Sequence, residues 1–129
     1  MKLRSKIIAG IVGGAALVGG AQVAYAGSTD VGYDVIAPIW QNLGQTDAQT
    51  KAVSSKDGHV NVYTVGSSYS TDVSFCHYST CEHKVYGLQG GSAAYLANTV
   101  TAGTPSHAGF QISSWNAVRV EITGKWRSE

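Results

Sequence analysis

The chain has 129 residues, of which 13% are charged, and its formal net charge is +1. That length is enough for one domain with its own core, and so even a charge balance excludes the basic footprint that binding to a phosphate backbone requires. The balance turns acidic beyond residue 26. Three of the nine basic residues and none of the eight acidic ones precede Gly27, so six face eight and the net charge is −2; this also argues against attachment to anionic lipid.

Met1–Ala26 reads as a signal peptide. Lys2, Arg4 and Lys6 form a positive n-region, Ile7–Ala21 an apolar h-region, and Ala24-Tyr25-Ala26 a small-x-small cleavage site. An uncleaved anchor is the competing reading, because Ile7–Ala26 is long enough to span a bilayer. Its glycines and Gln22 leave it weakly apolar, which favours cleavage. The expected product is secreted and extracellular, without membrane attachment after cleavage. A single pair of cysteines suits that oxidising setting.

Gly27–Gly32 is small and polar, the composition of a mobile tail. Tyr33–Trp40 is apolar, but Pro38 cannot donate to a ladder, so this stretch is an edge strand or an extended arm. The organisation expected is therefore a signal peptide over 1–26, an arm or edge strand over 27–45, and a β domain over 46–129. Gln41–Thr50 shows no helical stripe and reads as a loop, with room for a short helical turn.

From Lys51 onward the pattern is β. Asp57-Gly58 between Ala52–Lys56 and His59–Val65 predicts a two-residue hairpin. Alternation places Val60, Val62 and Thr64 on one face and His59, Asn61, Tyr63 and Val65 on the other. Gly66–Ser70 is a loop. Gly90-Gly91 breaks the chain before a strand over Ala93–Val100, in which Tyr95 and Ala97 alternate with Ala94 and Leu96. Gly103-Thr104-Pro105 is a turn. Ala108–Ser113 puts Phe110 and Ile112 on one face. Ala117–Trp126 puts Val118, Val120 and Ile122 inward and Arg119, Glu121, Thr123 and Lys125 outward. Asn116, at the connection beside Trp115, is a residue that tolerates left-handed backbone.

Thr71–Leu88 carries both cysteines, Cys76 and Cys81, with four residues between them. Residues facing each other across an antiparallel pair have Cα atoms about 4.5–5.5 Å apart, within the range of about 4.4–6.8 Å that a disulfide accepts. The stretch therefore predicts a hairpin pinned by Cys76–Cys81. One conflict accompanies it: a simple register sets Phe75 opposite Glu82 and Val73 opposite Lys84. Either a bulge near Glu82 or a hairpin end projecting past the domain resolves it. A metal site from Cys76, His77, Cys81 and His83 is the rival reading, but its ligands crowd too closely for a tetrahedron. Redox catalysis lacks a Cys-x-x-Cys motif and a βαβ context.

These elements make an all-β fold, a small antiparallel β-sandwich of immunoglobulin-like or jelly-roll-like type, with seven or eight short strands after the signal peptide. Its expected core is Val60, Val62, Val73, Phe75, Val85, Leu96, Phe110, Ile112, Val118, Val120 and Ile122. There is no Gly-x-Ser-x-Gly elbow, phosphate loop or calcium loop, and no metal or cofactor is implied. A serine–histidine–acid set or paired carboxylates could be assembled only by the fold, which keeps a small secreted hydrolase as the third reading.

The residues that invite a function are aromatic. Trp115 and Tyr78 fall at loop tips where a core does not need them, and Trp and Tyr are enriched at interfaces. Capping of the open sandwich ends is the structural alternative. His77 and His83 bracket the disulfide loop, either as solvated flanks or as a pH-sensitive contact, whereas His59 on an outward strand face and His107 in a loop look neutral. The leading expectation is a non-enzymatic secreted domain that binds another extracellular protein, as an inhibitor or an adaptor subunit, with Trp40, His77, Tyr78, His83 and Trp115 as its binding residues. The alternative is a carbohydrate-binding module using Trp115, Tyr78 and Trp40 as stacking platforms.

Overall fold

The computed structural model describes residues 25–129. The expected leader lies outside the described residues except for its last two. Among the described residues the strands are β1 (Tyr25–Ala26), β2 (Val31–Ala37), β3 (Gly44–Gln45), β4 (Gln49–Thr50), β5 (Gly58–Val65), β6 (Thr71–His77), β7 (Thr80–Leu88), β8 (Ser92–Leu96), β9 (Pro105–Ile112) and β10 (Val120–Arg127). Three are two-residue bridges; the other seven build the domain.

Period-two alternation decides the layering. On β2 the inward residues are Tyr33, Val35 and Ala37; on β5 Val60 and Val62; on β10 Val120, Ile122 and Trp126. These strands and β8 form a four-stranded antiparallel sheet in the order β2-β10-β5-β8. Val73 and Phe75 of β6 and Ala108, Phe110 and Ile112 of β9 supply the facing layer. That sheet runs β1-β4-β9-β6-β7, with β3 also paired to β9, and is antiparallel apart from the β1–β4 pair. The apolar faces meet in one cluster, with the Tyr33 and Phe110 rings 4.8 Å apart and the Trp126 and Phe75 rings 6.0 Å apart, edge to face. The result is a sandwich-like all-β fold in which each large inward side chain contributes roughly 1.5–3 kcal/mol of apolar burial.

Tyr33 shows why β10 carries a glycine in its middle. Gly124 faces Tyr33 in the ladder, and a Cβ there would collide with the Asn61 carbonyl and the Tyr33 ring. The open space lets the ring cross β10, and its hydroxyl donates to the Asn61 carbonyl at 2.7 Å. Burial, and secondarily the Tyr63 hydroxyl, pushes the Tyr33 hydroxyl far above its ordinary value.

Several expectations are corrected. Gly27 is buried, and its carbonyl accepts from the Glu129 amide at 2.6 Å, so 27–32 is not a loose tail. Asp57-Gly58 makes no hairpin. Residues 51–57 form no strand, and β5 pairs with β10 and β8 instead. The cause is Lys51, whose buried ammonium donates to the carbonyls of Lys56, Ser128 (2.8 Å) and Glu129 (2.9 Å) and so draws 51–56 into a compact turn. Burial holds that ammonium below its usual range. A register shift between Thr123 and Gly124 skips Tyr63, which sends Val65 toward the core and leaves Thr64 exposed. Val118 lies outside β10 and is 51% exposed, so it is not core, and Val85 is only half-buried against the core. The strand expected over 93–100 ends at Leu96. His107 sits in β9 rather than a loop, with Nδ1 2.8 Å from the Thr46 carbonyl.

Candidate functional site

The disulfide hairpin forms as expected. Cys76 faces Cys81 and the two are bonded, so the sulfur atoms are not available as the metal ligands of the rival reading. The strands run to His77 and Thr80, leaving a two-residue turn, Tyr78-Ser79. Phe75 does face Glu82, but Val73 faces Val85, so one extra residue is inserted on β7. The insertion falls at His83, whose φ is +47°; a second, before Leu88, falls at Gly87, whose φ is +74°. The bulge expected near Glu82 therefore exists, and it returns Val85 to the core side.

Glu82 is not stranded against the core. One carboxylate oxygen accepts from the Thr99 amide and hydroxyl, both at 2.9 Å, and the other lies 2.8 Å from His77 Nε2. Burial pushes this carboxyl up, but the Thr99 bonds and the His77 contact outweigh it and hold the group below the ordinary carboxylate range. The clasp ties the hairpin tip to the segment that leaves β8. Tyr78 is 74% exposed on left-handed backbone (φ +51°), and its ring meets the His77 ring edge-on at 6.1 Å. His83 is exposed on its bulge, on a different residue row.

At the other end of β6 the loops following β2 and β9 meet. The Trp40 and Trp115 rings lie 6.3 Å apart and within 11° of parallel, yet the residues are 56% and 66% exposed. Trp40 and Gln41 are both left-handed, with φ of +62° and +57°. Two consecutive non-glycine residues in that region persist only where their surroundings over-determine them. Asn116, completely buried, does so. Its Oδ1 accepts from the Gln41 amide at 2.8 Å, its Nδ2 donates to the carbonyls of Pro38 and Val118, and its own carbonyl accepts from the Trp40 amide at 2.7 Å. The Gln41 side chain donates to the Ile112 carbonyl, and Gln111 donates back to the Gln41 carbonyl. Asn116 itself is not among the left-handed residues. The sequence marks it as a turn former, whereas it acts as a buried amide that imposes the turn on another loop.

The fold thus brings Trp40 and Trp115 together and sets Tyr78, His77 and His83 apart from them. Ile112, just before the tryptophan loop, pairs with Thr71, and Ser106 pairs with His77 beside the hairpin tip. Six strand steps of about 3.4 Å place the two clusters roughly 20 Å apart. A single stacking platform of Trp115, Tyr78 and Trp40 is therefore not formed. A further carboxyl pair lies on the outer face of the four-stranded sheet, where the hydrogen bond with Asp34 and its charge raise Glu121. Sequence reasoning missed Asn116 and Glu82 as supporting residues, because a buried polar role depends on partners 75 and 17 residues away. Comparison with protein-family models, with curated proteins and with solved structures returns no match, so the geometry alone carries the functional reading.

Proposed function

We propose that this protein is a secreted, non-enzymatic binding domain that engages another extracellular protein through the Trp40–Trp115 ridge, as an inhibitor or as an adaptor subunit of a secreted complex. The observation that carries the reading is the combination of exposure and constraint. Two indoles stand more than half in solvent, on backbone that a buried amide forces into a costly conformation. The exposed indole rings themselves add little to the core. A partner gains from them, because preset aromatic side chains lose little conformational freedom on binding, and Trp is the residue most enriched at binding hot spots. The leader, its cleavage after Ala26 and an immunoglobulin-like or jelly-roll-like relation between the sheets belong to the same reading. The disulfide is consistent with an oxidising compartment.

The test is capture from culture medium with tagged protein spanning Gly27–Glu129. The expected result is one stoichiometric protein partner, lost at least tenfold in Trp115→Ala while the variant still melts cooperatively within roughly 8 °C of the parent. Equal recovery by the variant would remove the ridge from the interface. One observation favours the glycan alternative: the near-parallel rings offer a face on which a sugar could lie. That reading predicts retention on an immobilised polysaccharide that disappears in Trp115→Ala and Trp40→Ala.

A further inference from the structure

Another exposed aromatic lies away from both the ridge and the hairpin tip. Tyr95 projects from the outer face of β8 and is 64% exposed. Together with Lys56, Asp57, Arg127 and Glu129 it surrounds an open concavity of about 490 Å³, a size at which small-molecule sites are found. The tyrosine ring is supported. His59, its ladder partner on β5, packs against it at 4.8 Å with the planes tilted by 58°. His59 is itself flanked on its other side by Arg127 of β10. The phenol is thus braced by His59 and otherwise largely exposed.

The charged groups around it are held as well. Arg127 donates through Nε to the Glu129 carboxylate and through Nη1 to Asp30 at 3.1 Å, and Lys56 Nζ lies 3.1 Å from Glu129. Both acids favour the guanidinium charge, which the Glu129 bond raises most. Asp57 is exposed and has no hydrogen-bond or ion-pair partner among the described residues. Two cations, Lys56 and Arg127, thus face two carboxylates, Asp57 and Glu129, and Asp30 beyond them is met by Arg127 and by Lys125 at 3.8 Å. The lining is charge-balanced and largely paired, so it holds little free charge of either sign for a simple anion or cation. What remains is an aromatic face bordered by oriented donors and acceptors. Their spare lone pairs and N–H groups suit hydroxyls, and the π face suits C–H groups.

We propose that this concavity is a subsite for a neutral saccharide, with the sugar's apolar face on Tyr95 and its hydroxyls shared among Asp57, Glu129 and Arg127. The site is independent of the Trp40–Trp115 ridge and survives or fails separately from it. The experiment is binding of the Gly27–Glu129 protein, by calorimetry and by retention, to a panel of neutral oligosaccharides (glucans, mannans, chitin fragments) with polygalacturonate and heparin as anionic comparators. At least one neutral oligosaccharide should bind. Tyr95→Ala should weaken it tenfold or more and Asp57→Asn severalfold, while Trp115→Ala leaves it unchanged. Both positions are exposed, and unchanged melting curves would show that the variants fold. Lack of binding to every neutral glycan, preference for the anionic comparators, or affinity indifferent to both Tyr95→Ala and Asp57→Asn would each overturn the proposal.

Discussion

The two ends of the sandwich present exposed aromatics on left-handed backbone by different means. At the hairpin end, Tyr78 (φ +51°) sits on a two-residue turn closed by a covalent bond between Cys76 and Cys81. At the other end, Trp40 (φ +62°) sits on a loop that no covalent link crosses, held by the side chain of Asn116. The disulfide joins residues five apart and restrains only the hairpin that contains it. The amide joins loops 75 residues apart and connects the exits of β2 and β9, so it restrains one sheet against the other. The covalent pin is the stronger bond; the buried amide controls the longer-range geometry.

If that comparison holds, its largest consequence falls on Asn116. Asn116→Ala removes three side-chain hydrogen bonds and leaves their partly buried backbone partners unpaired, at about 1–3 kcal/mol for each group not rescued by water. A total loss of about 3 kcal/mol is expected, seen as a fall in melting temperature of more than roughly 10 °C. Capture of the protein partner should be lost as well. An Asn116→Ala protein as stable as the parent would show that the tryptophan loops hold themselves.

Reducing the disulfide should cost less. Closing so short a loop is worth about 2 kcal/mol in the chain-entropy model. Denaturant midpoints with and without dithiothreitol measure it, and intact mass should show the oxidised protein about two mass units below the reduced form. A loss larger than that of Asn116→Ala would invert the ranking of the two ends.

The Glu82 clasp ranks third. Glu82→Gln should destabilise by about 1 kcal/mol at neutral pH, the scale of a charge-assisted hydrogen bond partly retained. The pH dependence has a definite sign. Because the folded carboxyl is held below its ordinary value of 4.5, the unfolded chain binds its proton first. The stabilisation is complete above that value and drains away as pH falls through the depressed folded one. The gap between parent and Glu82→Gln stability curves should therefore close toward pH 3. A constant gap down to that pH would mean that Glu82 acts through packing and not through its charge.

The smallest effects on stability belong to the exposed rings. Trp115→Ala should cost no more than about 1 kcal/mol, the scale of one aromatic pair, and Tyr78→Ala about 0.5 kcal/mol or less. If Trp115→Ala unfolds the domain, the ridge is a structural cap, and the contrast between constraint and use at that end disappears.

Much of the architecture is legible in the residues alone. Period-two alternation marks β5, β6, β9 and β10, and the phase of each puts Val60, Phe75, Phe110 and Ile122 in the core, because a half-buried strand must separate its faces locally. The spacing of Cys76 and Cys81 announces their bond for the same reason: the partners lie within one hairpin. The conflict of Phe75 with Glu82 and of Val73 with Lys84 leaves a bulge and a projecting hairpin end both open; the bulge re-pairs Val73 with Val85, while Phe75 still faces Glu82.

What the chain does not announce depends on partners remote in sequence. Asp57-Gly58 carries a strong local hairpin signal, which the carbonyls of Ser128 and Glu129 override by capturing Lys51. Trp126 shares the inward phase of Val120 and Ile122 and is buried, although the expected core left it out; the tryptophans of the loops have no such phase and are exposed. The meeting of Trp40 with Trp115, the separation of both from Tyr78, and the placing of Tyr95 beside Arg127 follow from strand order. Strand order is settled by how two apolar faces and their connections pack together, a property that no single segment carries.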